Sequence, residues 1–265
     1  MKIGIVQFAP ILGNLHQTIH KLENLLAKCS ECELVLLPEL ANSGYNFPDK
    51  QAAVDSAESV ADSVFLEYLW EKCNRFKYHI ITGFNEKERS NLYNSAIIIG
   101  KNGLVGKYRK TQLFMKEPGF FEKGNSGLPI FQIGEFKIGI LICFDWMFPE
   151  LWRHLALKGA DLIVHPSNLV LPYAQGVVPS YAITNRLFVA TINRVGSEGD
   201  LTFTGGSLIA NPKAEVVGSL SSTAEDVLIC DIDLTESRDK MITPFNHAFD
   251  DRRLDVYPDL ENLIS

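Results

Sequence analysis

Three side chains of different chemistry stand where apolar stretches stop. Glu39 follows Leu34-Val35-Leu36-Leu37, Lys110 follows the hairpin pattern that begins at Ser95, and Cys143 ends Ile138-Gly139-Ile140-Leu141-Ile142. In open α/β sheets ligands gather beyond the carboxyl ends of strands, so polar residues left there are the first candidates. A thiol entering a turn ahead of a helix has backbone N–H groups nearby to favour its thiolate, and the next N–H can serve an oxyanion. The competing reading of Cys143 is a small core hydrophobe, as most free cysteines are. A carboxylate closing a buried strand is costly unless paired or working, which leaves Glu39 as either a catalytic group or a cap or ion-pair partner. Lys110 lies in Lys107-Tyr108-Arg109-Lys110, a cluster that alone reads as a solvated face, with Lys107 and Arg109 as surface charges. Glu117, in Lys116-Glu117-Pro118-Gly119, adds a second carboxylate with no stronger mark of its own.

Other templates fail. The chain has no G-x-S-x-G elbow, Walker A loop, G-x-G-x-x-G or H-E-x-x-H. A Cys/His dyad would draw on His165, the one histidine that follows a strand, although a hydrogen-bonded structural histidine fits there as well. Cys29 and Cys32 form C-x-x-C without a second such pair or a histidine pair at ligand spacing. They read as two small residues near a helix end, and all five cysteines are expected as free thiols.

The elements that position these residues follow from periodicity. Residues 3–8 read as a strand. Asn14 opens a helix with Gln17 as capping partner, and Leu15, Ile19, Leu22, Leu25 and Leu26 keep the helical period. Leu34–Leu37 is a buried parallel strand. A second helix carries Val60, Val64, Leu69, Cys73 and Phe76. A strand at His79–Gly83 leads to a hairpin, Ser95–Ile99 and Leu104-Val105, turned at Asn102-Gly103. The order then repeats: strand Lys137–Ile142, a helix with Pro149 at its first position, strand Asp161–Val164 closed by His165-Pro166, a helix from about Pro179 to Arg186, strand Phe188–Ile192, and a hairpin Ser207–Gly218. The expected fold is therefore α/β, two mixed sheets facing each other with helices outside, built from pseudo-duplicated halves in one domain over residues 1–265. The polar tail from about residue 234 reads either as a partner arm or as a loosely docked terminus.

Composition sets the outer bounds. The 265 residues are 46% hydrophobic and 22% charged, the profile of a globular protein. A net charge of −7 disfavours a phosphate-backbone partner, which calls for basic excess. No apolar run reaches the roughly 18 residues of a membrane span, and no signal-peptide pattern fits the N-terminus. The expected compartment is the cytosol.

Together, Pro38-Glu39-Leu40, Lys107-Tyr108-Arg109-Lys110, Cys143-Phe144-Asp145-Trp146 with Phe148-Pro149-Glu150, and Ile5-Val6-Gln7 resemble motifs of the nitrilase superfamily, the carbon–nitrogen hydrolases. The resemblance runs to about residue 232 and extends to short, single-domain prokaryotic members. It implies an α-β-β-α sandwich and a Glu-Lys-Cys triad of Glu39, Lys110 and Cys143, with Glu117 as the second glutamate of many members. It also implies substrate-pocket loops at Gly44–Phe47, with Tyr45, and at His165–Leu169, with Asn168, beside Phe144 and Trp146 of the cysteine motif. The implied activity is hydrolysis of a small amide, with small nitriles as the close alternative. A catalytically silent binding protein and a thiol-dependent acyltransferase remain as readings of other classes. No metal or organic cofactor has a role in that scheme. A homodimer or larger assembly is expected, with the apolar Leu169–Tyr173 segment and the helix after it offering a surface.

Overall fold

The computed structural model describes residues 1–256. Its first half runs β1 (Lys2–Gln7), α1 (Leu15–Lys28), β2 (Leu34–Leu36), α2 (Lys50–Asp55), α3 (Val64–Phe76), β3 (His79–Glu88), β4 (Asn91–Gly100) and β5 (Gly103–Arg109). The second runs β6 (Phe131–Ile133), β7 (Phe136–Ile140), α4 (Pro149–Leu157), β8 (Leu162–Ser167), α5 (Ala174–Asn185), β9 (Phe188–Asn193), a small hairpin of β10 (Ser197–Glu198) and β11 (Leu201–Thr202), β12 (Leu208–Ala210), β13 (Val216–Ser219) and β14 (Asp226–Asp231). Two six-stranded sheets result, ordered β14-β1-β2-β3-β4-β5 and β6-β7-β8-β9-β12-β13. In each, three central strands are parallel and the flanking ones antiparallel. The duplication read from the sequence is thus a repeated sheet.

Strand periodicity sorts the core into layers. Ile3, Ile5, Leu34, Leu36, Ile81 and Ile98 pack with Ile138, Ile140, Leu162 and Val164 between the sheets. Their alternates Val6, Val35, Leu37, Ile80 and Ile97 meet Leu22, Leu26, Phe65 and Leu69 of α1 and α3. Ile163 and Val189 meet Trp152, Leu155 and Val178 of α4 and α5. The result is the expected α-β-β-α sandwich.

Several local expectations change. β8 does not close at His165-Pro166 but pairs with β9 through Ser167, while β7 pairs no further than Val164. Beyond that point β8 is an edge, where proline is tolerated. α5 begins at Ala174, ahead of Pro179, and its N-cap Tyr173 makes no side-chain cap bond, so no start mark is visible. Asn14 caps α1 by accepting from Gln17 N, as expected, but Val60 precedes α3. The segment after residue 233 is docked rather than loose. Leu234 is buried in the central core, Ser237 Oγ donates to Asp161 Oδ1 at 2.8 Å, and Lys240 Nζ donates to Arg186 O at 2.7 Å. The last nine positions of the expected tail lie outside the described residues. No helix among the described residues is long and apolar enough to cross a membrane.

Gln7, wholly buried, ties the sheets together. Its Nε2 donates to Ser221 O and Ala224 O at 2.7 and 2.9 Å, and its Oε1 accepts from Ser207 N and Oγ at 2.9 and 2.8 Å. All four bonds an amide can make are satisfied. An apolar replacement strands the Ser207 N–H and two carbonyls, at about 1–3 kcal/mol for each group left unpaired. Gln7→Leu should therefore lower unfolding free energy by roughly 3 kcal/mol or more in urea titration, and Gln7→Glu should not recover it, because a carboxylate cannot donate to the Ser221 and Ala224 carbonyls.

Candidate active site

Glu39, Lys110 and Cys143 arrive from three strands. Past β2 the chain lies directly on β3, where a Cβ at Gly83 would stand 2.4 Å from Glu39 Cα. No side chain but hydrogen fits, and Gly83 N donates to Pro38 O at 3.0 Å. Lys110 continues β5, its N–H donating to Asn94 O at 2.8 Å and its carbonyl accepting from Gly124 N at 2.9 Å. Cys143 opens a 3₁₀ turn over residues 143–147 with φ +44°, a left-handed backbone that is uncommon outside glycine and marks strain at functional sites.

Two buried groups hold that turn. Asp145 Oδ2 accepts from Ile142 N at 2.9 Å and Tyr108 Oη at 2.8 Å, and its Oδ1 accepts from Gln112 N at 3.0 Å. One carboxylate thereby ties the residue before Cys143 to residues on both sides of Lys110. His165 stands 2.8 Å from Cys143 O through Nε2 and 3.1 Å from Thr191 Oγ1 through Nδ1. Since a carbonyl only accepts, Nε2 carries the hydrogen and Nδ1 accepts from Thr191. This is the hydrogen-bonded structural histidine of the two readings. Burial lowers its pKa to about 4, so the ring is neutral.

The Lys110 ammonium is fully buried between two carboxylates. Nζ donates at 2.7 Å to Glu39 Oε1 and at 2.7 Å to Glu117 Oε1. Burial alone would lower its pKa, but Glu117 and Glu39 raise it well above the ordinary value, and Lys110 stays charged. Glu39 Oε1 also accepts from Asn94 Nδ2 at 2.7 Å, whereas its buried Oε2 has no partner among the described residues. Asn168 connects this carboxylate to the thiol. Its Nδ2 donates to Glu39 O at 3.0 Å, and its backbone N–H points to the Cys143 sulfur. That single amide does not make a resting thiolate. Burial, reinforced by Glu39, pushes the Cys143 thiol well up, against the pull of Lys110. This burial works against the thiolate expected from the strand-end position.

Glu117 is buried, and burial and Glu39 push its pKa up to about 7, opposed by Lys110. It accepts from Tyr45 Oη at 2.8 Å. Tyr45 is in turn held by a pair that sequence reading missed. Glu198 Oε2 accepts from Tyr45 N at 2.9 Å and Asn46 N at 2.8 Å, and Glu198 Oε1 pairs with the buried Arg194, whose guanidinium lies 4.0 Å over Phe203. Arg194 and Glu198 stand in a polar loop with no apolar period, where the four-residue spacing of opposite charges was the only mark. Asn94 was hidden inside the strand pattern of β4.

Arg109 is not the surface charge expected, whereas Lys107 keeps a partly exposed side chain. Arg109 is buried, donates to Glu86 Oε2 and Oε1 at 2.9 and 2.6 Å and stacks 3.7 Å over Tyr93. Lys107 pairs with the same Glu86. A carboxylate buried in β3 requires such cations. Cys29 and Cys32 are buried free thiols, both seated against Gly4.

Phe144, Trp146 and Asn168 line a cavity of about 140 Å³ that ends on Cys143. Tyr45 lies on the other side, with Glu117, at a cavity of about 30 Å³. Hydrogen bonds thus join Glu39, Lys110, Glu117 and Tyr45, while Cys143, Phe144, Trp146 and Asn168 share the larger cavity.

Comparison with known proteins gives the same setting. The carbon–nitrogen hydrolase family profile matches residues 2–240. A protein of Pyrococcus abyssi named nitrilase is 42% identical, over 97% of this chain and 99% of its own. A Pseudomonas (R)-stereoselective amidase is 30% identical, over 82% and 80%. The crystal structure of a Helicobacter pylori carbon–nitrogen hydrolase superimposes with a TM-score of 0.85 at 26% identity, covering 98% of each chain.

The neutral His165 has a consequence for acid stability. Unfolded, a histidine titrates near 6.5, so between pH 6.5 and about 4 only the unfolded chain takes up this proton. Stability is present above pH 6.5 and lost as pH falls. Urea titrations at pH 7 and 4.5 should show the wild type losing about 2–3 kcal/mol more than His165→Gln does.

Proposed function

The chain belongs to the carbon–nitrogen hydrolase family, and on that premise we propose that it hydrolyses a small amide to carboxylate and ammonia through a Cys143 thioester. The observation that carries this reading is the divided role of Glu39. One oxygen is fixed by Lys110 and Asn94, and the other is buried without a partner among the described residues, close enough to Cys143 for the carboxylate to push its thiol up.

The steps follow from those positions. Glu39 Oε2 takes the thiol proton as the sulfur bonds to the amide carbon. The negative oxygen that forms is held by Lys110 and the Phe144 backbone N–H. An ammonium has three hydrogens, and Lys110 gives two to the glutamates, which leaves one for the oxyanion. The carbon–nitrogen bond then breaks, and the proton on Glu39 passes to the nitrogen, which leaves as ammonia. Water adds to the thioester, Glu39 takes its proton, and that proton returns to sulfur as the carboxylic acid departs. Glu117, held by Tyr45, positions Lys110. A nitrile would enter as a thioimidate and consume one more water. The similarity to a protein named nitrilase favours keeping it as the second reading. The dimer expected from the sequence belongs to the same proposal. Leu171, Tyr173 and Ile183 expose apolar side chains, and sedimentation at micromolar concentration reads the assembly.

The test is ammonia release across amides, nitriles and carbamoyl compounds, with variants of each role. Lys110→Ala should lose roughly 10²-fold or more in turnover. Glu39→Gln should lose about 10²- to 10⁴-fold and accumulate acyl mass on Cys143 in mass spectrometry. Glu117→Gln should keep a substantial part of the activity. An active Glu39→Gln beside a dead Glu117→Gln would reverse the two glutamates.

A further inference from the structure

The cavity that ends on Cys143 is walled by Phe114, Phe144, Trp146, Leu169, Val170 and Leu171. None of the described residues that line it is Lys, Arg, His, Asp or Glu. Its polar end is Asn168, whose Nδ2 is taken by Glu39 O while its buried Oδ1 has no partner among the described residues. That oxygen is an acceptor suited to an N–H of the reacting group. The nearest cation is already committed: Lys110 faces Glu39 and Glu117 at 2.7 Å each, and its third hydrogen is the one assigned to the oxyanion, so none is left for a second anionic group. Charged side chains do line the neighbouring cavity, Lys116 and Asp200, but that space is only about 30 Å³, room for a water or two.

Resting on the reading of Cys143 as nucleophile, we infer that the site selects substrates whose acyl part is uncharged and apolar, and excludes those ending in a carboxylate. A cavity of about 150 Å³ with apolar walls holds a benzene ring, so about 140 Å³ accommodates about six carbon atoms. Within that length each methylene moves from water onto apolar wall, which is worth roughly fourfold in kcat/KM. A terminal carboxylate placed among these apolar walls would be desolvated without a partner.

Two matched series test this. Straight-chain amides from acetamide to octanamide should rise in kcat/KM to about six carbons and then level or fall. Hexanamide should exceed adipamate (the monoamide of adipic acid), its carboxylate-ended counterpart, by at least about a hundredfold, and hexanenitrile should likewise exceed 5-cyanopentanoate if nitriles are turned over. Calorimetry on Cys143→Ala reads the cavity without chemistry, and there hexanamide should bind at least about tenfold tighter than the monoamide. Equal or tighter binding of the carboxylate-ended ligand, or flat dependence on chain length, overturns the inference. If neither series releases ammonia while Cys143→Ala still prefers hexanamide, the cavity inference stands and the reading of Cys143 falls.

Discussion

A lysine ammonium with no access to water constrains the rest of the site. Lys110 can remain charged only because two carboxylates meet it, and each must itself be held by something other than solvent. Asn94 holds Glu39, Tyr45 holds Glu117, and Phe114 N donates to Glu117 Oε2 at 3.2 Å. Removing any of these leaves a desolvated charge short of a partner, which is why a buried ionic network works as a unit. The same burial works against a Cys143 thiolate, so in the proposed reaction nucleophile and base are coupled through one proton.

That network spans the pseudo-duplication. Glu39, Tyr45, Lys110 and Glu117 come from the first half, while Cys143 and Asn168 come from the second. Asp145, in the second half, holds the turn after Lys110, and Glu198 holds the amides of Tyr45 and Asn46. Neither half presents a complete site. The contact between them is made of hydrogen-bonded polar residues at the strand ends and of the apolar layer between the sheets, with Gln7 bonded across both.

What could be read from the sequence divides along physical lines. β1, β2 and their partners were legible because burial on both faces of a parallel strand writes an unbroken apolar run. Glu39 and Cys143 were legible as polar residues ending such runs. Asn94, Arg194 and Glu198 were not, since their roles depend on contacts with residues far along the chain. Arg109 was misread for the same reason: nothing near it in sequence announces that Glu86, on β3 and separated from β5 by β4, is buried and needs it. The start of α5 was missed where no capping side chain exists, and the docking of the segment after residue 233 rests on contacts such as Ser237 with Asp161.

The pairing of β14 with β1, in which Lys2 lies opposite Asp231 and Gln7 opposite Asp226, bears on biosynthesis. As the chain leaves the ribosome, β1 is made ahead of the rest of its sheet, yet the strand that covers its outer edge is made about 220 residues later, at the end of the second half. Until then the first sheet carries an open, apolar edge of the kind that recruits foreign strands. Contacts this distant in sequence close slowly. The nascent first half is therefore the stage at which this protein is most exposed to aggregation and most dependent on a holding chaperone, and the arrival of residues 226–231 ends that exposure.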